Sequence, residues 1–469
     1  MIGAYQQYRD KRRIYSTIAD VFMILVIAGC FYLSNNHSIE VSEELQNWSF
    51  AHIILHTFPI YLYLKKFTKQ TTNFPFVETL AAFNIVHFGL PAFFIKTDDF
   101  QLGVLDPYAL KVLFYAYALF YLLYYVFKDI LKTKPIEFIP VKTPLVYLKY
   151  FSYALLGIYI LSKFINESSI YHLGNVGFYI YVGFSINFWK DKLLSIIEKS
   201  IFVPFLLFDI LTRAVDGLLA PVALLLFFIS LCVIISKSRK IFIIVGIVLF
   251  SWFYSIFSVV KFDFRATVWY GGKYYSIMDR IALIGDLYTE SAKGKSVEYV
   301  DKYPGKDQFL WRFSYQLSAL SMVLNKTPKI VPFWNGESYI PLVTKFIPRI
   351  IWNDKPTENM GQLFGVRYGV ITAYNTRTSI NAPIIPEFYI NFGYTGIWLG
   401  CMFLGFFYAL LARLFNSNKV SYSSKIIGMA IIFPLVIWES NFSLIFGNLI
   451  LVSFFLIVLF RLIISFIKR

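Results

Sequence analysis

Charge is scarce in this chain. Only 15% of its 469 residues are Asp, Glu, Lys or Arg, while 57% are hydrophobic and 20% aromatic. With a mean hydropathy of +0.59 and apolar stretches of spanning length recurring throughout, that scarcity excludes an ordinary soluble globule and indicates a polytopic membrane protein. Cysteine is almost absent. Cys30, Cys232 and Cys401 all lie inside apolar runs, so neither a disulfide framework nor a cysteine metal cluster is available. Histidine is limited to five residues. No Gly-rich phosphate loop, no Ser/His/Asp order and no Cys/His ligand spacing appears in the polar segments, and no internal repeat is visible.

What the chain does have is an excess of positive charge, formally +16. In a membrane protein that excess is first a topology signal, because cytoplasmic loops collect Lys and Arg. Arg9, Lys11, Arg12 and Arg13 place the amino terminus inside, and the run from Ile18 to Leu33 lacks a small-x-small cleavage site, so it reads as a retained first helix. Further spans are expected near Phe50–Leu64, Phe74–Ile95, Tyr108–Phe127, Leu145–Lys163, Leu173–Trp189, Ile201–Thr212, Leu218–Ser236 and Ile241–Val260. Three more near Glu387–Arg413, Ile426–Trp438 and Phe442–Phe460 close the chain. Basic clusters at Lys65-Lys66, Lys132-Lys134, Lys190-Lys192, Lys237-Lys240 and Arg413-Lys425 alternate with acidic or short loops. The expectation is about twelve helices with both termini cytoplasmic. The chain then divides into spans one to nine (1–260), a long extracytoplasmic loop (261–386) and spans ten to twelve (387–469).

The long loop is the one extended polar interruption. From Lys261 to Ile390 it carries 16 Lys and Arg against 11 Asp and Glu, and with Trp269, Tyr270, Trp311, Trp334 and Trp352 among its residues it is too aromatic for a solvated tail. Ile277, Ile281, Ile284 and Tyr288 recur at helical spacing, as do Phe313, Leu317, Leu320 and Leu324, with Asp307 in position to cap the second segment. Short helices lying on the membrane domain like a lid are expected.

Several residues are candidates for chemistry. Arg213 stands one turn after Asp209 at the outer end of a span. That spacing fits a charge-neutralising pair as well as an anion site. Arg265 lies just past the ninth span, where a snorkelling interface cation is the plainer explanation. Arg349, Lys355, Arg367 and Arg377 form the densest cationic group, with Arg349 and Lys355 stiffened between Pro341, Pro348 and Pro356. Arginine's fork suits a diphosphate, although Asp354 and Glu358 would occupy at most two of these cations. Glu387 at the start of the tenth span is a candidate general base, and equally a helix N-terminal charge. His52 and His56 share a helix face, and Asn84 and His87 are one turn apart; packed, hydrogen-bonded side chains explain both better than a metal.

The order of these features resembles the oligosaccharide repeat-unit polymerases, the Wzy-type O-antigen and capsule polymerases related to the O-antigen ligases. The carriers are Thr212-Arg213-x-x-x-Gly217, Arg265 after a later span, Ile347-Pro348-Arg349-x-x-Trp352-x-x-Lys355-Pro356, and Glu387-Phe-Tyr389-x-Asn391-Phe-Gly393-x-x-Gly396. The hairpin departs from the tighter Ser-Arg-Gly of such proteins, and the histidine on which the ligases rely has no counterpart in this loop.

The resemblance implies an all-α, GT-C-like membrane fold and an inverting glycosyltransferase that needs neither metal nor other cofactor. The donor would be a growing glycan on undecaprenyl pyrophosphate and the acceptor a single lipid-linked repeat. The bilayer and a chain-length regulator would be its partners, nucleic acid would not, and the bacterial cytoplasmic membrane would be its location. Arg213, Arg265, Arg349 and Glu387 would be catalytic; Lys355, Arg367, Arg377, Trp352 and Tyr389 would bind substrate. Arg349 in particular would grip the diphosphate, with Arg213 and Arg265 on the same group. An O-antigen ligase is the nearest rival. A flippase should show repeats and short loops on both faces, and a metal-dependent transferase would keep its acidic pair in the first outer loop, whereas the loops that carry Glu43-Glu44 and Asp98-Asp99 are too short to build a site alone.

Overall fold

The computed structural model describes residues 2–35, 42–66, 73–93, 102, 105–165, 168–217, 219–236, 241–293, 313–344, 347, 352, 354, 359–375, 378–447 and 449–467. Among these, every regular element is helical. Five helices are long and apolar enough to cross a membrane: Ile14–Leu33, Pro107–Ile130, Leu145–Ser162, Ile384–Phe415 and Phe442–Phe466. The pair Gly246–Lys261 and Asp263–Trp269, bent by 67°, makes a sixth if it forms one span. Phe76–Gly89, Leu219–Ile235 and Tyr422–Val436 are apolar but shorter. The chain is a helical membrane protein, and several of its expected spans fall on short or broken helices.

In chain order the helices are α1 (Ile2–Asn35), α2 (Glu43–Lys66), α3 (Phe76–Asn84), α4 (Pro107–Ile130), α5 (Leu145–Ser162), α6 (Ser168–Lys190), α7 (Ile196–Val215), α8 (Leu219–Ile235), α9 (Ile241–Arg265) and α10 (Ile277–Ala292). Then come α11 (Tyr315–Lys326), α12 (Ile340–Thr344), α13 (Met360–Arg367), α14 (Ile384–Phe415), α15 (Tyr422–Ile432), α16 (Phe442–Phe446) and α17 (Leu449–Ile467). The chain packs as two compact units. One comprises Met1–Phe151, Ser162–Leu173 and Phe309–Arg469; the other comprises Ser152–Leu161 and Gly174–Gln308. The expected division at 260 and 386 was one of membrane side. The compact units instead split the long loop, its first part belonging to one unit and its second part to the other.

In the first unit α14 packs along α4, where Gly405 lets the backbones close: a Cβ there would stand 3.0 Å from the Phe120 carbonyl oxygen. Trp438, fully enclosed, donates through Nε1 to the Tyr408 hydroxyl (2.5 Å), which donates to the Leu435 carbonyl (2.6 Å). Such dense aromatic packing is what association inside lipid requires, since dispersion must replace the hydrophobic effect there. His52 and His56 are indeed packed and hydrogen-bonded, 3.3 Å from each other, with His52 Nε2 on the Leu110 carbonyl (2.9 Å) and His56 Nδ1 on Tyr121 (2.8 Å).

The two loop helices depart from the lid expectation. α11 is buried on almost every side from Tyr315 to Val323 and contacts α4 and α14. Its serines do not mark a wet face: the Ser321 hydroxyl accepts the Asp106 amide at 3.1 Å, and the Ser318 hydroxyl returns to the Ser314 carbonyl. Asp307 lies outside the described residues; Ser314 precedes the first turn. α10, in the second unit, opens with a capping box between Ser276 and Asp279. Its buried residue is Ile284, with Ile277, Leu283 and Leu287 against Val215, Phe257, Val260 and Phe264. Ile281 and Tyr288, expected on the same face, are exposed.

Candidate functional site

In the first unit, the segment Glu387–Gly396 folds into a sharp helical corner. α14 is two helices joined across non-helical backbone at Phe392 (φ −139°, ψ 18°) and Gly393 (φ 62°, ψ −149°). The Gly393 conformation lies in a region that only glycine enters without strain. Beyond the corner, Gly396 comes so near the Phe388 carbonyl that a Cβ would stand 2.2 Å from its oxygen, and at Gly400 a Cβ would stand 2.3 Å from the Phe388 ring. The glycine spacing is therefore what lets the chain double back over Phe388.

The corner is pinned by polar groups. Glu387, fully buried, accepts the Ser338 hydroxyl at 2.5 Å on one oxygen and the Phe442 amide at 2.5 Å on the other. Asn391 donates to the Ser338 hydroxyl (2.9 Å) and to the Glu387 carbonyl (2.8 Å), and accepts the Gly336 amide (2.8 Å). The Trp334 amide satisfies the Ile390 carbonyl at 2.9 Å, one of the carbonyls orphaned where the helix breaks. The turn Asn335-Gly336 is left-handed at both residues. Together these contacts bind 334–339 and the start of α16 to the corner. Hydrogen bonds to a charged group contribute roughly 1.5–3 kcal/mol each, so Glu387 is a principal anchor. With no exposure and both oxygens engaged, it holds the loop and is not positioned for proton transfer, in contrast to its candidacy as a base.

Alongside the corner runs a cavity of about 830 Å³. Phe333, Tyr339, Phe388, Phe392, Phe403 and Phe442 give it aromatic walls, and Asn335 and Asn391 supply polar points. Burial, and then the Glu387 charge, raise the Tyr339 hydroxyl above its ordinary pKa, so it stays protonated as a donor. Tyr368, also buried, is pushed up to about 12.

Of the expected substrate contacts in this unit, Arg367 is described in full. It pairs two-pronged with Glu337 (2.6 and 3.0 Å) and lies over the Trp334 ring, 4.6 Å from its centroid. Its fork already holds a carboxylate, the geometry that it would offer a phosphate. Tyr389 is buried, donating to the Thr327 carbonyl at 3.2 Å, and presents no open ring to a sugar. Trp352 is exposed. Arg349, Lys355 and Arg377 lie outside the described residues, and with them the expectation of a shared diphosphate grip.

In the second unit the two expected catalytic arginines bind the protein itself. Arg213 donates to Asp209 at 2.7 Å, to the Tyr159 hydroxyl at 3.0 Å and to Asn175 at 3.3 Å, between the rings of Tyr159 and Phe178. Asp209 is buried and also accepts the Tyr159 hydroxyl. Here the i,i+4 ion pair is the observed arrangement. Arg265 donates from Nε and Nη2 to the Gly217 carbonyl (3.2 and 2.6 Å) and stacks over Trp269 at 4.5 Å. Trp269 donates to the Asp216 carbonyl, and Arg280 pairs with the Asp216 carboxylate. Gly217 has φ +78°, so the end of α7 is a left-handed cap whose carbonyls take cationic and indole donors.

Sequence reasoning missed Ser338 and Tyr339, and gave Asn391 no role beyond its place in the Glu387–Gly396 segment. Asn391 carried a signal, being one helical turn from Glu387 in the same segment; Ser338 carried none. No family model matches the chain, and no curated protein or solved structure matches it.

Proposed function

We propose that the protein is a membrane glycosyltransferase that polymerises lipid-linked oligosaccharide repeat units. The growing glycan moves from undecaprenyl pyrophosphate to the non-reducing hydroxyl of a new lipid-linked repeat, with inversion and without a metal. In this reading about twelve spans carry a GT-C-like fold in the bacterial cytoplasmic membrane, and the loop 261–386 faces outward.

The observation that carries the proposal is the corner at Glu387–Gly396. The segment on which the sequence resemblance rests builds, through Gly393, Gly396 and the Glu387 and Asn391 contacts, one wall of a large aromatic cavity. Such a cavity accommodates an isoprenoid chain by dispersion and a sugar by ring stacking, and its few polar groups fix orientation. Cations of the loop, among them Arg349, Lys355, Arg367 and Arg377, supply charge for the departing diphosphate.

The test is purified protein in proteoliposomes supplied with a lipid-linked repeat and EDTA. A ladder of lipid-linked products spaced by one repeat supports the proposal. Movement of the repeat across the bilayer without elongation, or elongation only on restoring magnesium or manganese, overturns it.

A further inference from the structure

In the second unit α10 carries more apolar surface than its packing uses. Ile284 is enclosed in one core with Val215, Phe257, Val260 and Phe264, and Ile277, Leu283 and Leu287 pack against it. Met278, Ile281 and Tyr288 belong to the same helix but are 74%, 39% and 44% exposed. At about 3.6 residues per turn these three form one stripe, centred roughly 70° round the helix from Ile284. Gly285 lies in that stripe, and a Cβ added there would meet nothing within 4 Å. Asp286 and Glu290, both exposed, share a third face, roughly 140° from Ile284 in the other direction. The apolar arc of α10 is thus wider than the part that the described residues of this unit cover.

The depth of α10 decides what an open apolar stripe can meet. Phe257 and Val260 lie inside Gly246–Lys261, the longer arm of the bent pair that is apolar enough to span a membrane. α10 packs against that helix and shares its core, so the middle of α10 stands at bilayer depth. α9 itself turns Ile244, Ile247, Val248 and Trp252 outward, as a helix in contact with acyl chains does. An exposed apolar stripe at the same depth calls for the same contact. Tyr288 suits the edge of such a surface, having an apolar ring and a polar tip. Exposed carboxylates at that depth call for the opposite, because charged side chains within a membrane face protein or a water-filled cavity.

We propose that α10 is set into one leaflet as a wall, with Met278, Ile281 and Tyr288 against lipid acyl chains and Asp286 and Glu290 facing an aqueous cleft. The partner of this surface is the bilayer itself. Arg280, on the packed side, ties the wall to Asp216, and the capping box of Ser276 and Asp279 fixes where it begins.

The test uses the unaltered protein in phospholipid vesicles. A phosphatidylcholine with a diazirine at the end of one acyl chain marks side chains that touch lipid. A water-soluble carbodiimide with a glycine ester marks carboxylates in water, and hydroxyl radicals oxidise side chains that water reaches. Adducts are placed by mass spectrometry. Met278, Ile281 and Tyr288 should carry lipid adducts as densely as Ile247 and Trp252 of α9, and well above the background at Tyr374, which is 96% exposed. Asp286 and Glu290 should take the glycine ester.

Lipid adducts on α9 but not on the stripe overturn the proposal. Oxidation of Met278 and Tyr288 would then put the stripe in water, and protection from both reagents would put it under protein. Lipid adducts on Asp286 and Glu290, with no glycine ester, overturn the wet face. An α9 without lipid adducts overturns the depth on which the wall rests. None of these outcomes depends on polymerase activity.

Discussion

Two regions of the molecule solve the same problem with opposite charge. At the end of α7, backbone carbonyls of Asp216 and Gly217 lack helical partners, and donors from Arg265 and Trp269 satisfy them. At the corner of α14 the side chains of Glu387 and Asn391 instead accept amides brought up by neighbouring segments, those of Phe442 and Gly336. The α7 end leaves its cations committed to internal acceptors. The α14 corner instead borders a cavity of about 830 Å³. The difference teaches that a charged residue at a membrane-helix end is first a solution to an orphaned backbone group, and marks a site only where space adjoins it.

The largest expected effect separates these roles for Arg213. Arg213→Ala leaves Asp209 buried without its charge partner, a loss of roughly 3–5 kcal/mol. The amount of folded protein in the membrane should fall, and Asp209→Asn in the same chain should recover much of it. Arg213→Ala at wild-type abundance but without polymer would instead make that arginine a ligand site, and erase the contrast between the two regions.

Glu387→Ala comes next. It strands the Ser338 hydroxyl and the Phe442 amide, at about 1–3 kcal/mol for each buried group left unpaired. Thermal unfolding in detergent should shift accordingly, and Glu387→Gln, which keeps one acceptor oxygen, should fall between. Gly400→Ala is smaller, about 1–3 kcal/mol, because its methyl group meets the Phe388 ring. Pairing it with Phe388→Leu should return part of the loss; if the pair is additive, the glycine does not serve the corner.

The smallest effect is a pH dependence in the second unit. Hydrogen bonds from the Ser276 side chain, then its backbone amide, hold Asp279 below its ordinary pKa. A lowered folded-state pKa means that the stabilisation is complete above the unfolded value, near 4, and is lost as pH falls through the folded one. Amide exchange in the first turn of α10 should accelerate below about pH 4 in wild type, and lose that dependence in Asp279→Asn.

How much of this was legible in the sequence varied with the physics of each element. The helical membrane class followed from apolar run lengths alone. α10 was legible as a helix but its face was turned: Ile277 and Ile284 belong to either stripe, and Arg280, reaching Asp216, fixes which one is packed. α11 was legible as periodic but not as buried, since Ser318 and Ser321 are polar residues whose internal partners only the packing reveals. The Glu387–Gly396 segment stood out as a unit. Its meaning did not, because a positive φ at Gly393 and the approach of Phe388 to Gly400 are facts of tertiary packing.

The account depends most on which side of the membrane the second part of the long loop faces. Tyr374 is 96% exposed, and Cys30, Cys232 and Cys401 are all buried. A Tyr374→Cys chain, with the native cysteines replaced, should react with a membrane-impermeant maleimide in intact cells, while Lys134→Cys should react only after permeabilisation. Labelling of Tyr374→Cys that likewise waits for permeabilisation would place the corner's loop inside, away from a substrate polymerised outside, and would contradict the account.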